Sequence, residues 1–247
     1  MPDPSMSETT SLPEIVLCVP GPWKDRSALL ERVVRSDSGY LFAGHILMNL
    51  QTRNSCELQH EPRDERMMSA FLSAGPHWFG TPEMALIQQH ESVIYLVGHG
   101  GSKENADALM LAARALLDAG GLGVKVESSG VAHSPAGWRA LCDDLHLFSA
   151  FRAYVLFITG EEVYSCGMHN LGLRDAVVEN HGTEASVELL QVFTRYLFTE
   201  GPTLRAGHTF STEPDAPRFR IEDGPGVDYG DNTLFANPYG TWRLVPA

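Results

Sequence analysis

The stretch that decides the fold is Ser92-Val93-Ile94-Tyr95-Leu96-Val97, followed by Gly98-His99-Gly100-Gly101-Ser102. Five β-branched, apolar or aromatic positions after Ser92 make a buried strand, and the glycines after them break it. Ser102 then stands where a helix N-cap hydroxyl belongs. Behind it, Ala106, Leu109, Met110, Ala113, Leu116 and Leu117 recur at three and four and form one apolar face, closed by Gly120-Gly121. Gly123–Glu127 returns to strand character. The unit is strand–helix–strand.

Outward from it, Glu14–Val19 reads as a short buried strand ended by Pro20-Gly21-Pro22, and Asp25 starts a helix carrying Arg26, Leu29, Leu30 and Val33. Tyr40–Leu50 and Cys56–His60 read as two extended runs joined through the polar Gln51–Ser55. Short helices are expected over Glu65–Leu72, Pro82–Gln89 and Pro135–Cys142, the last capped by Ser134. Ala153–Ile158 reads as a central strand, turned at Thr159-Gly160-Glu161-Glu162 into Val163–Cys166. A helix over Glu184–Phe198 is expected behind the cap Thr183. From about Pro202 the chain is rich in Pro, Gly and aromatics, with short strands at Thr209–Ser211, Phe219–Ile221 and Thr241–Val245. These elements imply an α+β fold: a mixed, largely antiparallel sheet with amphipathic helices packed on it, with room for a remote internal duplication. Residues 1–12 read as a disordered leader and 13–247 as one domain.

Composition narrows the function. The 247 residues hold 18 Lys and Arg against 31 Asp and Glu, a formal charge of −13. Such a surface repels phosphate backbones and anionic lipid, so neither nucleic acid nor a membrane surface is an expected partner; a basic protein is. Met1 to Pro13 is polar rather than signal-like, and the longest apolar runs are too short to span a bilayer. The cytoplasm is the expected compartment, with Cys18, Cys56, Cys142 and Cys166 reduced. Oligomeric state is not legible.

The string with the most chemistry is Tyr164-Ser165-Cys166-Gly167-Met168-His169-Asn170-Leu171-Gly172-Leu173-Arg174-Asp175. Cys166 after one strand and His99 after another suggest a Cys–His pair, in which the imidazole takes the thiol proton. The Gly98-His99-Gly100 string resembles the histidine motif of caspase-like cysteine peptidases, although the residues before Cys166 lack the acidic-Ala context of those enzymes. Cys166 and His169 also have zinc-ligand spacing, with His99, His133, His208 or Cys142 to complete a set, but a structural site usually supplies a second paired motif and none occurs. The Gly100-Gly101 turn before a helix offers backbone N–H groups to an anion; no phosphate-loop or dinucleotide fingerprint accompanies it. The plainer reading of each is a shaped turn, so no metal and no cofactor is expected. The binding candidates are Gly100, Gly101, His133, Cys166, His169, Asn170 and Asp175. Phe219, Tyr229, Phe235, Tyr239 and Trp242 either line a recognition surface or cover the sheet, and covering is the ordinary role of such rings.

Several blocks taken together resemble the bacterial domain-of-unknown-function family 4261: Cys18–Trp23, Gly39–Gly44, Val124–Ser134, Tyr164–Asp175 and Asn237–Trp242, in that order, from about Ile15 to Leu244. Looser relatives share the Gly-x-x-x-x-Gly-x-x-acidic turn of Gly167–Asp175, and some occur near toxin–immunity and secretion loci. The resemblance implies one α+β domain in a bacterial cytoplasm and no assigned chemistry. It favours a binding or protein-interaction module, of an immunity-like kind, over an enzyme.

Overall fold

The computed structural model describes residues 12–247, so the leader expected over 1–12 lies, but for Leu12, outside the described residues. Among them are seven α-helices and thirteen strands, in two sheets rather than the one expected. The first sheet has seven strands in the order β2-β3-β4-β5-β1-β6-β7, where β1 is Glu14–Gly21, β2 Tyr40–Ala43, β3 Ile46–Asn49, β4 Ser55–Pro62, β5 Ser92–His99, β6 Val124–Val126 and β7 Ala132–His133. Every pairing in it is antiparallel. The second has six strands in the order β11-β12-β13-β10-β9-β8, from β8 Leu156–Thr159, β9 Glu162–Cys166, β10 Asp175–Glu179, β11 Thr209–Phe210, β12 Phe219–Gly224 and β13 Thr241–Pro246. Only β10 and β13 run parallel.

The side-chain period of two explains why the middles of β1 and β5 are apolar on both faces. Ile15, Leu17, Val19, Ile94 and Leu96 point into the main core, while Cys18 and Val93 join a second cluster on the opposite face. That second face is covered by α2 (Met67–Ser73) and α3 (Pro82–Ile87), with Phe71 and Trp78 meeting edge to face at 5.0 Å. On the main face lie α1 (Arg26–Arg35) and α4 (Lys103–Asp118). The second sheet carries α7 (Thr183–Glu200), and α5 (Pro135–Asp143) and α6 (Leu147–Tyr154) link α4 to α7. One apolar cluster therefore runs from Ile15 and Leu17 of β1 to Val178 of β10 and Leu244 of β13.

Helix α4 is the axle of this core. Trp23 Nε1 donates to Ala119 O at 3.0 Å, Trp138 Nε1 to Met110 O at 3.0 Å and the Tyr154 hydroxyl to Ala106 O at 2.9 Å. Each large ring thus buries its area against the helix and satisfies its one polar atom there. The expected caps hold: the side chains of Asp25, Ser102 and Ser134 accept from Ala28, Asn105 and Gly137 N.

Several expectations change. Tyr40–Leu50 is not one extended run but two strands, folded back at Gly44-His45 where Gly44 has φ +57°. β5 does not stop before the glycines; Gly98 and His99 pair with Ile15 and Glu14 of β1. The strand–helix–strand unit is split, because β1 is inserted between β5 and β6. Ala153 and Tyr154 end α6, and the strand that follows is an edge rather than a central one. Gly182, not Thr183, caps α7. β10, unforeseen, is central to the second sheet. The antiparallel pair, helix and parallel return of β9-β10-α7-β13 parallels β4-β5-α4-β6 in sheet order, except for the inserted β1 and for the elements that intervene along the chain.

The two sheets meet through backbone at one seam. Gly101 N donates to Asn170 O at 3.0 Å, and a Cβ on Gly172 (φ +80°) would lie 2.3 Å from the Gly101 carbonyl oxygen. Gly172→Ala is expected to destabilise the protein by several kcal/mol, since backbone cannot move aside as a flexible side chain can. Gly201→Ala, at φ +54° in open space, isolates the conformational penalty of about 1 to 3 kcal/mol. Equal urea midpoints for the two variants would show that the seam is not tight.

Candidate functional site

Four chain segments converge beside that seam. Leu12, Pro13 and Glu14 come from the start of β1, His99 from the end of β5, His169 from the 3-10 turn Met168–Leu171, and Thr233, Leu234, Ala236, Asn237 and Pro238 from the loop before β13. They line an open cleft of about 700 Å³. Glu14 and His99 are exposed and are register partners across β1 and β5.

His169 sits in the wall of this cleft with 1% of its surface exposed. Burial pushes its imidazole down to about 4, so it is neutral at pH 7. The Leu234 backbone is near enough to favour the charged form slightly, yet neither ring nitrogen makes a hydrogen bond of normal geometry among the described residues. Asn170, next along the turn, is fully buried with both carboxamide atoms equally unpartnered. Ser128 and Ser129, on the β6–β7 turn, have buried hydroxyls without partners among the described residues, and a Cβ on Gly167 would lie 3.0 Å from the Ser129 Cβ.

Asp175 is the clasp that holds the turn in place. Its Oδ1 accepts from Ser165 Oγ at 3.0 Å and Met168 N at 3.3 Å; its Oδ2 accepts from Asn237 Nδ2 at 2.7 Å. Asn237 also donates to Leu173 O at 2.9 Å, so the cleft's loop is tied to the turn that carries His169. Burial raises the carboxyl to about 6, against three donors that pull it down.

Of the candidates from sequence, Gly100, Gly101, His169, Asn170 and Asp175 come together at the seam. Cys166 lies beside Asp175 but on the sheet, fully buried, and lines none of the cleft. Burial and the Asp175 carboxyl push its thiol up to about 12, and the hydroxyl beside it belongs to Tyr229 rather than an imidazole. His133 is elsewhere: its Nε2 hydrogen-bonds Ala153 O at 3.0 Å and its ring packs on Trp138. Cys166 therefore does not join His99 in the cleft. Among the described residues, no group of three or more His, Cys, Asp or Glu side chains is placed to hold a metal ion. None of their helices is long and apolar enough to cross a membrane. The aromatic tail covers the second sheet, with Tyr229 against Tyr164 and Phe235 at 6.4 and 5.3 Å and Trp242 buried.

Sequence reasoning missed Glu14 and the loop from Thr233 to Pro238 as parts of a site. Glu14 carries no motif, and Asn237-Pro238 was legible only as a turn. Comparison of the chain with protein-family models, with curated proteins and with solved structures finds no match. The resemblance to family 4261 therefore rests on the quoted blocks alone.

Two outcomes check this description. Ellman's reagent at pH 8 should leave the folded protein unlabelled and find all four thiols after unfolding, because burial raises every one of them; fast labelling of Cys166 would restore the nucleophile. The second is pH dependence. His133 and His169 are held at about 4, so between pH 6.5 and 4 the unfolded chain binds protons that the fold refuses, and stability falls as pH falls. Asp175, at about 6, opposes them: the fold keeps its proton, and that contribution falls as pH rises through 4 to 6. Two groups against one leave a net of roughly one proton near pH 5, a loss of about 1.4 kcal/mol per pH unit on acidification. Urea titrations from pH 7 to 4.5 measure it; stability rising toward pH 5 would contradict the assignment.

Proposed function

We propose that this chain is a binding module whose ligand sits in the cleft between Glu14, His99, His169 and Asn237. One observation carries the reading: His169 is buried in the cleft wall with neither ring nitrogen making a hydrogen bond of normal geometry among the described residues. A buried polar group left without a partner costs about 1 to 3 kcal/mol. Among the described residues His60 Nε2 is also buried without a partner, but only His169 has both ring nitrogens so, and two other enclosed imidazoles are bonded. His90 Nδ1 bonds Ile87 O at 2.7 Å and its Nε2 accepts from Asp64 N at 3.1 Å, and His133 bonds Ala153 O. A ligand that bonds His169 removes that deficit on binding, which is what a preformed recognition site does.

The charge of −13 supports a cationic or basic partner over an anionic one. A binding role also agrees with the expectation drawn from family 4261. The immunity-like refinement of that expectation draws on the resemblance only.

His169→Leu is expected to hold or raise stability at pH 7, by about 1 kcal/mol, while weakening ligand binding; a polar group kept at a cost to the fold is kept for function. A fragment set of neutral, cationic and anionic small molecules, followed through the imidazole resonances of ¹⁵N-histidine-labelled protein, locates the site. Binders should shift His99 and His169 together and leave His90 and His133 unmoved. A set whose binders shift only residues outside the cleft, or one without binders, refutes the reading.

A further inference from the structure

The cleft's lining is chemically one-sided. Leu12, Pro13, Leu234, Ala236 and Pro238 give it apolar walls, and among the described residues Glu14, exposed at the start of β1, is the acidic side chain that lines it. Among the described residues no Lys or Arg lines it and Glu14 has no salt-bridge partner. Deeper in, His169 offers a ring nitrogen with no partner, from a side chain 99% removed from solvent by its 1% exposure. The two observations are independent: one is a free carboxylate at the mouth, the other an unfilled hydrogen-bonding site in the wall.

Resting on the cleft reading above, we infer that the ligand is an organic ammonium, an N–H-rich cationic head on an apolar body. Its body covers the Leu234 and Pro238 side of the cleft, where burial of apolar area stabilises the complex by about 25 cal/mol per Å². Its head donates to the Glu14 carboxylate, the Asn237 carboxamide oxygen or the unpartnered His169 nitrogen, all of them acceptors. An anionic head of the same size finds a carboxylate instead, and the field of the whole acidic chain opposes its approach. The ammonium has two sources, a free small amine or the side chain of a lysine on a peptide, and the same contacts serve both.

The test uses the full chain and four probes: n-hexylamine hydrochloride, hexanoate, hexanol and the capped peptide acetyl-Gly-Lys-Gly-amide, each titrated at pH 7.5 against the His99 and His169 resonances. Hexylammonium should shift both, and hexanoate neither. Glu14→Gln should weaken the amine by about two- to fivefold, the range of an exposed ion pair, and Glu14→Lys should reverse the preference toward hexanoate. Glu14 is exposed, so both variants should keep the wild-type His90 and His133 resonances, which report folding. Peptide binding stronger than the amine's assigns the ligand to a lysine side chain; amine binding without peptide binding assigns a free small amine. Hexanol equalling hexylammonium, with no response to Glu14 substitution, overturns the ammonium and leaves the cleft intact. Hexanoate binding best to the wild type, or no probe shifting either histidine, overturns the ammonium as well, and the fragment set then judges the cleft alone.

Discussion

The contact on which the rest of the structure depends is made by backbone alone. Gly101, after β5 of the first sheet, donates its N–H to the carbonyl of Asn170, in the turn after β9 of the second. The approach is so close that Gly172 has no space for a Cβ against the Gly101 carbonyl, and Gly167 none against the Tyr154 carbonyl, 2.1 Å from where one would stand. Side chains cannot mediate such a seam, because any atom beyond Cα would hold the chains apart. Main-chain donors and acceptors buried there must be paired with one another. The glycines are therefore spaced by a packing requirement, and the polar residues between them inherit their positions from it.

That inheritance explains the fate of the most reactive-looking string in the sequence. Once Gly167 turns against Tyr154, Cys166 is fixed on the sheet and His169 faces the cleft, so neighbours in sequence serve different surroundings. Asp175 then fastens the turn from behind, through Ser165, Met168 and Asn237. A carboxylate with three donors would ordinarily titrate low. Desolvation wins here because the group is almost fully enclosed, and the clasp sits near its own titration point at about 6. Its chemistry is used to hold two chain segments 62 positions apart, which is a structural task.

What the sequence made legible was what neighbouring residues determine. Ser102, Asp25 and Ser134 announced their helices because a cap hydroxyl or carboxylate reaches only three residues ahead. The apolar run Ala153–Ile158 misled for an equally local reason: a buried helix end and an edge strand were joined without a polar break, and periodicity cannot separate them over so few residues. The insertion of β1 between β5 and β6 had no local signal, since it is decided by pairings across more than 70 positions. The site divides in the same way. Gly100, Gly101, His169, Asn170 and Asp175 stood out as residue types in tight turns. Glu14 and the Thr233–Pro238 loop did not, because they become parts of a site only when opposite ends of the chain are brought to the same seam.

The unpaired imidazole of His169 then sets the balance between folding and recognition. A core assembled for stability alone would put a leucine there, as the neighbouring Leu171 and Met168 show by filling similar space without polar atoms. Keeping a histidine adds two costs: an unmet hydrogen bond at every pH, and a proton the fold refuses when the medium turns acidic. The second is only slightly offset, by the Leu234 backbone that favours the charged ring. On the proposed binding role the first cost falls when a ligand hydrogen-bonds the ring, while the second stays, because enclosure keeps the ring neutral. If the cleft binds as proposed, occupancy and fold stability are linked through one side chain: a ligand bound only by the folded state raises its stability by mass action.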